Sequence, residues 1–180
     1  MIYIILAEGF EEIEALTPLD VLRRGKADVK CAAITGDGLT VKGSHGISVV
    51  ADMRAEDIGD DIDMLVFPGG LPGATNIDES PLTDALIEKA KKKHAHLAAI
   101  CAAPMILGKR GLLEGKKAVC YPGFEEHLHG AKVVKKRVVT DKNVTTAIGM
   151  GASLEFAERL LSEVTDKKTA KTIVGATFPK

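Results

Sequence analysis

Short apolar runs alternate with longer amphipathic stretches from one end of the chain to the other. Residues 2–7, Ile2-Tyr3-Ile4-Ile5-Leu6-Ala7, are apolar without a break and predict a strand buried on both faces. Gly9 allows a tight turn after it. Residues 11–24 read as helical, with Pro18 either kinking that helix or dividing it in two, and Gly25 as its stop. Val29 to Ile34 predicts the next strand. A loop with Gly36 and Gly38 follows, then strand-like pieces near 39–41 and 47–50. Asp63 to Phe67 predicts another buried strand, which ends in Pro68-Gly69-Gly70.

Ser80-Pro81 is a helix start, with Ser at the N-cap and Pro at the first helical position. Leu82, Ala85, Leu86 and Ala90 mark one apolar face of that helix through about Lys93. His96 to Ile100 predicts a buried strand running straight into Cys101, with a helix from Ala102 to Lys109 after it. Val138 to Thr140, the Asp141-Lys142-Asn143 turn and Val144 to Ile148 predict a hairpin. A helix over 151–164 carries Leu154, Ala157, Leu160 and Leu161 as its stripe, and 166–174 is a short closing helix. Apolar strands alternating with helices imply an α/β fold with a mainly parallel central sheet covered on both faces. Sites in such sheets lie beyond the carboxyl ends of the strands. The loops after Ala7, Phe67 and Ile100 are therefore the places to look.

Composition fits this picture. Apolar residues make up 46% and charged residues 27% of the 180, ordinary for a globular chain. One domain over 1–180 is expected, large enough to bury a core without metals or disulfides. Basic residues number 24 against 25 acidic, a net charge of -1, so no charge excess points to nucleic acid or to an acidic partner. The runs Lys91-Lys92-Lys93 and Lys135-Lys136-Arg137 read as a solvated helix end and a solvated strand edge. The first strand has no basic lead and Glu8 closes it, which argues against a signal peptide. No apolar run approaches the ~20 residues that cross a membrane. Cys31, Cys101 and Cys120 form no Cys-x-x-Cys pair, so neither zinc nor a thioredoxin-type motif is indicated. An odd count without an export signal indicates free thiols in a reducing compartment, and a cytoplasmic location is expected.

The three loops hold a coherent set of groups. Cys101 stands at a strand-to-helix junction, where a sharp turn exposes a nucleophile. A following helix would direct free N–H groups at its sulfur and lower its pKa. On position alone a buried structural cysteine fits equally well; Cys31 and Cys120 read as structural. Gly69 and Gly70 either present N–H donors to an oxyanion or form a bare turn. Glu11 and Glu12 read as solvated carboxylates in a helix's first turn. Glu14, between Ile13 and Ala15-Leu16, points inward; a buried carboxyl stays protonated and can act as general acid–base. His45, His94, His96, His127 and His129 make no metal-like pair on a predicted helix, and His94 and His96 read as surface groups. No G-x-G-x-x-G follows the first strand and no Walker A motif occurs, so dinucleotide and ATP binding lack support.

Taken together and in order, these segments resemble the DJ-1/PfpI superfamily, in its DJ-1/ThiJ/YajL-like branch. The matching residues are Ala7-x-Gly9-x-Glu11-Glu12-x-Glu14 continuing to Pro18-x-Asp20-x-x-x-Arg24, Phe67-Pro68-Gly69-Gly70 with Gly73-Ala74, Ala98 to Pro104 around Cys101, and Lys136-Arg137-Val138-Val139-x-Asp141. The resemblance implies a flavodoxin-like three-layer sandwich of the class I glutamine amidotransferase-like kind, and a homodimer whose contact includes the helix carrying Glu14. It implies Cys101 as reactive thiol, Glu14 as its protonated partner, and the Gly70 and Ala102 N–H groups as oxyanion donors, with no cofactor and no metal.

The chain departs from the pattern at four places. The protease branch has a histidine directly after the cysteine, and here Ala102 stands there, which argues against Cys-His peptidase chemistry. A histidine near the cysteine in DJ-1 has no counterpart here unless a small gap brings His129 close. Ser44-His45 replaces a serine–arginine pair, and Ile148-Gly149-Met150-Gly151 replaces Arg-Gly-Pro-Gly. The resemblance implies either of two functions for this one site. The first is a glyoxalase or deglycase acting on methylglyoxal, glyoxal or glycated amines. The second is a redox sensor or chaperone working through oxidation of Cys101.

Overall fold

A computed structural model describes residues 1–36 and 38–177. Five consecutive buried side chains make β1 (Ile2–Leu6) the middle of a sheet rather than an edge. Its flanks alternate: Ile2, Ile4 and Leu6 join one core, Tyr3 and Ile5 the other. The chain continues through α1 (Glu12–Arg24), β2 (Val29–Ala33), a hairpin of β3 (Thr40–Lys42) and β4 (Ser48–Val50), β5 (Met53–Arg54), β6 (Met64–Phe67), α2 (Gly73–Glu79), α3 (Pro81–Lys92), β7 (His96–Ile100) and α4 (Pro104–Lys109). It ends with the short strands β8 (Lys117–Ala118) and β9 (Lys132–Val133), then β10 (Val138–Asp141), β11 (Val144–Ala147), α5 (Ser153–Val164) and α6 (Lys167–Thr177).

Seven strands form the central sheet in the order β10-β11-β7-β6-β1-β2-β5, parallel throughout except for the β10–β11 hairpin. Helices α1, α5 and α6 cover one face around Leu22, Phe156 and Leu160. Helices α2, α3 and α4 cover the other around Ile77, Ile87 and Ile106. This is the three-layer α/β sandwich expected. Strands β1, β6 and β7 are neighbours, so the loops after Leu6, Phe67 and Ile100 emerge side by side at one end of the sheet.

Several expectations change. Pro18 lies inside one continuous helix, α1, which ends at Gly25. The proline removes one helical hydrogen bond, and packing of the Ala15–Leu22 face beneath α5 holds the helix together. Helix α2 follows the glycine turn where no helix was expected; its single turns of apolar residues are too short to show a period. Ser80 occupies the N-cap of α3 but its hydroxyl makes no capping bond. Residues 101–103 form a turn, so the helix expected from Ala102 begins at Pro104. His96 is half-buried rather than superficial. Its Nε2 meets Thr145 Oγ1 at 2.8 Å, and burial lowers its pKa to about 4. The loop expected around Gly36 and Gly38 includes Asp37, which lies outside the described residues.

Candidate active site

Cys101 follows the last residue of β7 with φ 64, the left-handed conformation of a tight strand-end turn. A side chain other than glycine adopts it at a cost of roughly 1–2 kcal/mol. Two hydrogen bonds hold it there: its N–H donates to the Ala147 carbonyl at 2.9 Å, and its carbonyl accepts from Tyr121 at 2.8 Å. The side chain is thus turned out of the sheet and remains half-buried.

Glu14 reaches the same place from α1 and is wholly buried. Its Oε2 accepts from the Gly69 N–H at 2.9 Å, while Oε1 has no partner of ordinary hydrogen-bond geometry. The carboxyl faces the Cys101 thiol. Burial raises the Glu14 pKa to about 7, against the opposing hydrogen bonds to Cys101 and Gly69. Gly69 is fixed by space: a Cβ there would lie 2.6 Å from Glu14 Oε2 and 2.7 Å from Cys101 Cβ. Gly70 is fixed by conformation, with φ 83.

The Gly70 and Ala102 N–H groups both point at the Cys101 sulfur and favour its ionised form. They do not prevail over the surroundings. Burial and the charge of Glu14 push the thiol up to about 12, where the sequence led us to expect a lowered value. The reason is local. Helix α4 is short and starts at Pro104, so two single amides face the sulfur rather than a long helix end. Protonation of Glu14 removes the charge that opposes the thiolate.

Glu12 differs from its expected role. It is buried, not solvated, at 4% exposure. Its Oε1 accepts from the His45 N–H at 2.8 Å and the Ile47 N–H at 3.4 Å, and its Oε2 meets His45 Nδ1 at 2.9 Å. Burial opposes ionisation, but these bonds prevail and hold its pKa at about 2. Glu11, Glu12 and His45 bring ligand-type atoms within 4.8 Å of one another. Both Glu12 oxygens already serve the hairpin turn, so the group is a clasp for β3–β4.

Tyr121 is the neighbour of Cys101 that sequence reading missed. A Cβ at Gly149 would stand 3.3 Å from its ring and 4.0 Å from Cys101 Sγ, so Tyr121 and Gly149 flank the thiol. They line a small groove of about 190 Å³ with Pro122, Arg137, Ile148 and Met150. No described residue lining it is a histidine, and His129 is exposed elsewhere on its loop. The signal available was Tyr121-Pro122-Gly123, a turn directly after the apolar run 118–120. Among the described residues no helix is long and apolar enough to cross a membrane.

Known proteins resemble the chain over nearly all of it. It is 39% identical over 173 residues to Protein DJ-1 homolog B of Arabidopsis thaliana, covering 94% of this chain but 39% of the plant protein, less than half its length. It is 30% identical over 157 residues to Glutathione-independent glyoxalase DJR-1.2 of Caenorhabditis elegans, covering 86% of this chain and 82% of that one. The structure of oxidized Toxoplasma gondii DJ-1 superposes with a TM-score of 0.92 at 33% identity, over 98% of this chain and 96% of that chain. The sequence profile of the DJ-1/PfpI family matches residues 1–163, and the chain belongs to that family.

Proposed function

We propose that the chain is a cofactor-independent, cysteine-dependent enzyme acting on small reactive aldehydes such as methylglyoxal and glyoxal, or on their adducts with amines. The single observation carrying this reading is the juxtaposition of the left-handed Cys101 with the buried Glu14 carboxyl, beneath the Gly70 and Ala102 amides. The relative described as a glutathione-independent glyoxalase supports the reaction class.

In methylglyoxal the Cys101 thiolate attacks the aldehyde carbon and a C–S bond forms. The proton lost by the thiol passes by way of Glu14 to the oxygen, giving a hemithioacetal and leaving Glu14 ionised, while the Gly70 and Ala102 N–H groups stabilise the developing oxyanion. Glu14 then takes the proton from C1 and returns one at C2, which yields a thioester of the 2-hydroxy acid. Water cleaves the thioester, releasing lactate and the free thiol. One methylglyoxal and one water thus give one lactic acid, with no net oxidation. Ala102 in place of a histidine makes peptidase chemistry a poor fit.

The same site supports a second reading. The sulfur lies among an acid and two amide donors that would hold the oxygens of a sulfinic acid, and the T. gondii structure is of an oxidized protein. We take the chain as one cytoplasmic domain acting as a homodimer. Exposed Ile13 on α1 and Ile47 and Val50 at the hairpin are the apolar groups we assign to that contact. The deciding experiment measures methylglyoxal consumption and lactate formation. Cys101→Ser is expected to abolish turnover and Glu14→Gln to slow it by about 10²–10⁴-fold. If the wild-type protein forms no lactate, the enzyme reading fails, and sulfinic acid at Cys101 after peroxide, seen by mass spectrometry, would support the sensor.

A further inference from the structure

The small groove beside Cys101 does not end at Met150. Pro122, Arg137 and Ile148 line it and also line a second groove of about 560 Å³. That volume falls in the ~300–1,000 Å³ range of ligand pockets and far exceeds the needs of a three-carbon oxoaldehyde. Its floor is apolar, with Val119, Val133 and Ile148, and the run Lys135-Lys136-Arg137 forms one wall. A merely solvated strand edge would need no cavity beneath it.

The three cations are not equivalent. Arg137 Nε donates to Glu155 Oε2 at 3.1 Å and Nη2 donates to the Gly151 carbonyl, which ties down the turn beside the thiol. Lys135 and Lys136 are exposed and have no ion-pair partner among the described residues. One carboxylate, Glu125, lines the groove, and its Oε2 accepts from the Gly123 N–H at 2.7 Å. With Arg137 paired to Glu155, the two lysines face one carboxylate along an apolar wall, an excess of one positive charge over the groove.

We propose that this second groove is the specificity site of the Cys101 centre and takes substrates whose reactive carbonyl is joined by an apolar arm to a carboxylate, which Lys135 and Lys136 bind. The proposal rests on the reading of Cys101 as the attacking group. The arm lies along Val133 and Ile148. Arg137 is a positioning residue for the turn at Gly149–Gly151.

The test separates the groove from the aldehyde chemistry. N-phenyl iodoacetamide and 4-(iodoacetamido)benzoic acid share one arm and differ by a carboxylate. Each alkylates Cys101 by forming an S–C bond with loss of iodide, the thiol proton passing to solvent. Rates at Cys101 are read by peptide mass spectrometry at low ionic strength. The carboxylate probe is expected to react about fivefold faster with the wild-type protein. That preference should vanish in Lys135→Gln/Lys136→Gln and persist in Lys132→Gln, an exposed cation outside the groove. Equal rate ratios in the wild type and the double variant would overturn the proposal, as would an equal loss in Lys132→Gln. Should the preference hold while methylglyoxal is not consumed, the groove stands and the aldehyde reading falls.

Discussion

At Glu14 the folded and unfolded chains hold different numbers of protons over a defined pH range. Burial lifts the carboxyl from 4.5 to about 7, so between these values the folded side chain is protonated and the unfolded one ionised. The stability it contributes is full below 4.5 and is lost as pH rises through 7. That loss is on the order of 3 kcal/mol. Glu14→Gln cannot ionise. Urea denaturation should show the variant gaining about 3 kcal/mol on the wild type between pH 4.5 and 8; parallel profiles would remove Glu14 as the titrating group. The inward direction of Glu14 was expected from its neighbours Ile13, Ala15 and Leu16, whereas it is the turn of α1 that puts it with Ala15, Val21 and Leu22 on the buried face. Its neighbour Ile13 faces out at 47% exposure, so apolar neighbours in sequence were a poor guide to the face. The proton balance between Glu14 and Cys101 was not legible either, because it depends on how deeply both are buried.

At the scale of elements, the β3–β4 hairpin is held to the start of α1 by few groups. The Ser44 N–H donates to the Phe10 carbonyl at 2.8 Å and the Gly9 N–H to the Lys42 carbonyl at 2.8 Å; Glu8 accepts from the Lys42 N–H, Glu11 from the Ser44 hydroxyl, and Glu12 from the His45 and Ile47 N–H groups. Glu12→Ala would leave the His45 and Ile47 amides without their acceptor, at a cost of about 1–3 kcal/mol. Hydrogen exchange should speed up in residues 40–50 while β1, β6 and β7 keep their protection. Unchanged exchange in the hairpin would mean that Glu12 is not its clasp. Strands β1, β6 and β7 were legible because burial on both faces leaves an unbroken apolar run. Helix α2 and the two-residue strands β5, β8 and β9 were not, since so few residues carry no periodic signal. The length of α4 was hidden for another reason: the turn at 101–103 is imposed by the backbone bonds from Cys101 to Ala147 and Tyr121, both distant in sequence.

For the whole molecule the α/β order of elements was readable from the alternation alone, whereas the surfaces had to be seen. Ile13, Ile47 and Val50 are exposed at 47%, 55% and 71%, and the Ile47 amide lies 3.4 Å from Glu12 Oε1 beside Ile13. If this face joins two copies, sedimentation velocity should give twice the chain mass for the wild type and one chain mass for Ile13→Glu/Val50→Glu. The melting temperature of the wild type should also rise with protein concentration. A monomeric wild type would sink the dimer reading. The sheet itself narrows how copies can meet. One margin is β5, only two residues long, and the other is β10, four residues long and already turned antiparallel by its hairpin. The ladder that either margin could offer a neighbouring chain is therefore short, two residues at β5 and four at β10. Association is thereby steered away from strand addition, the route by which sheets grow into fibrils, and this guards a protein whose most hydrophobic strands stay locked in the middle.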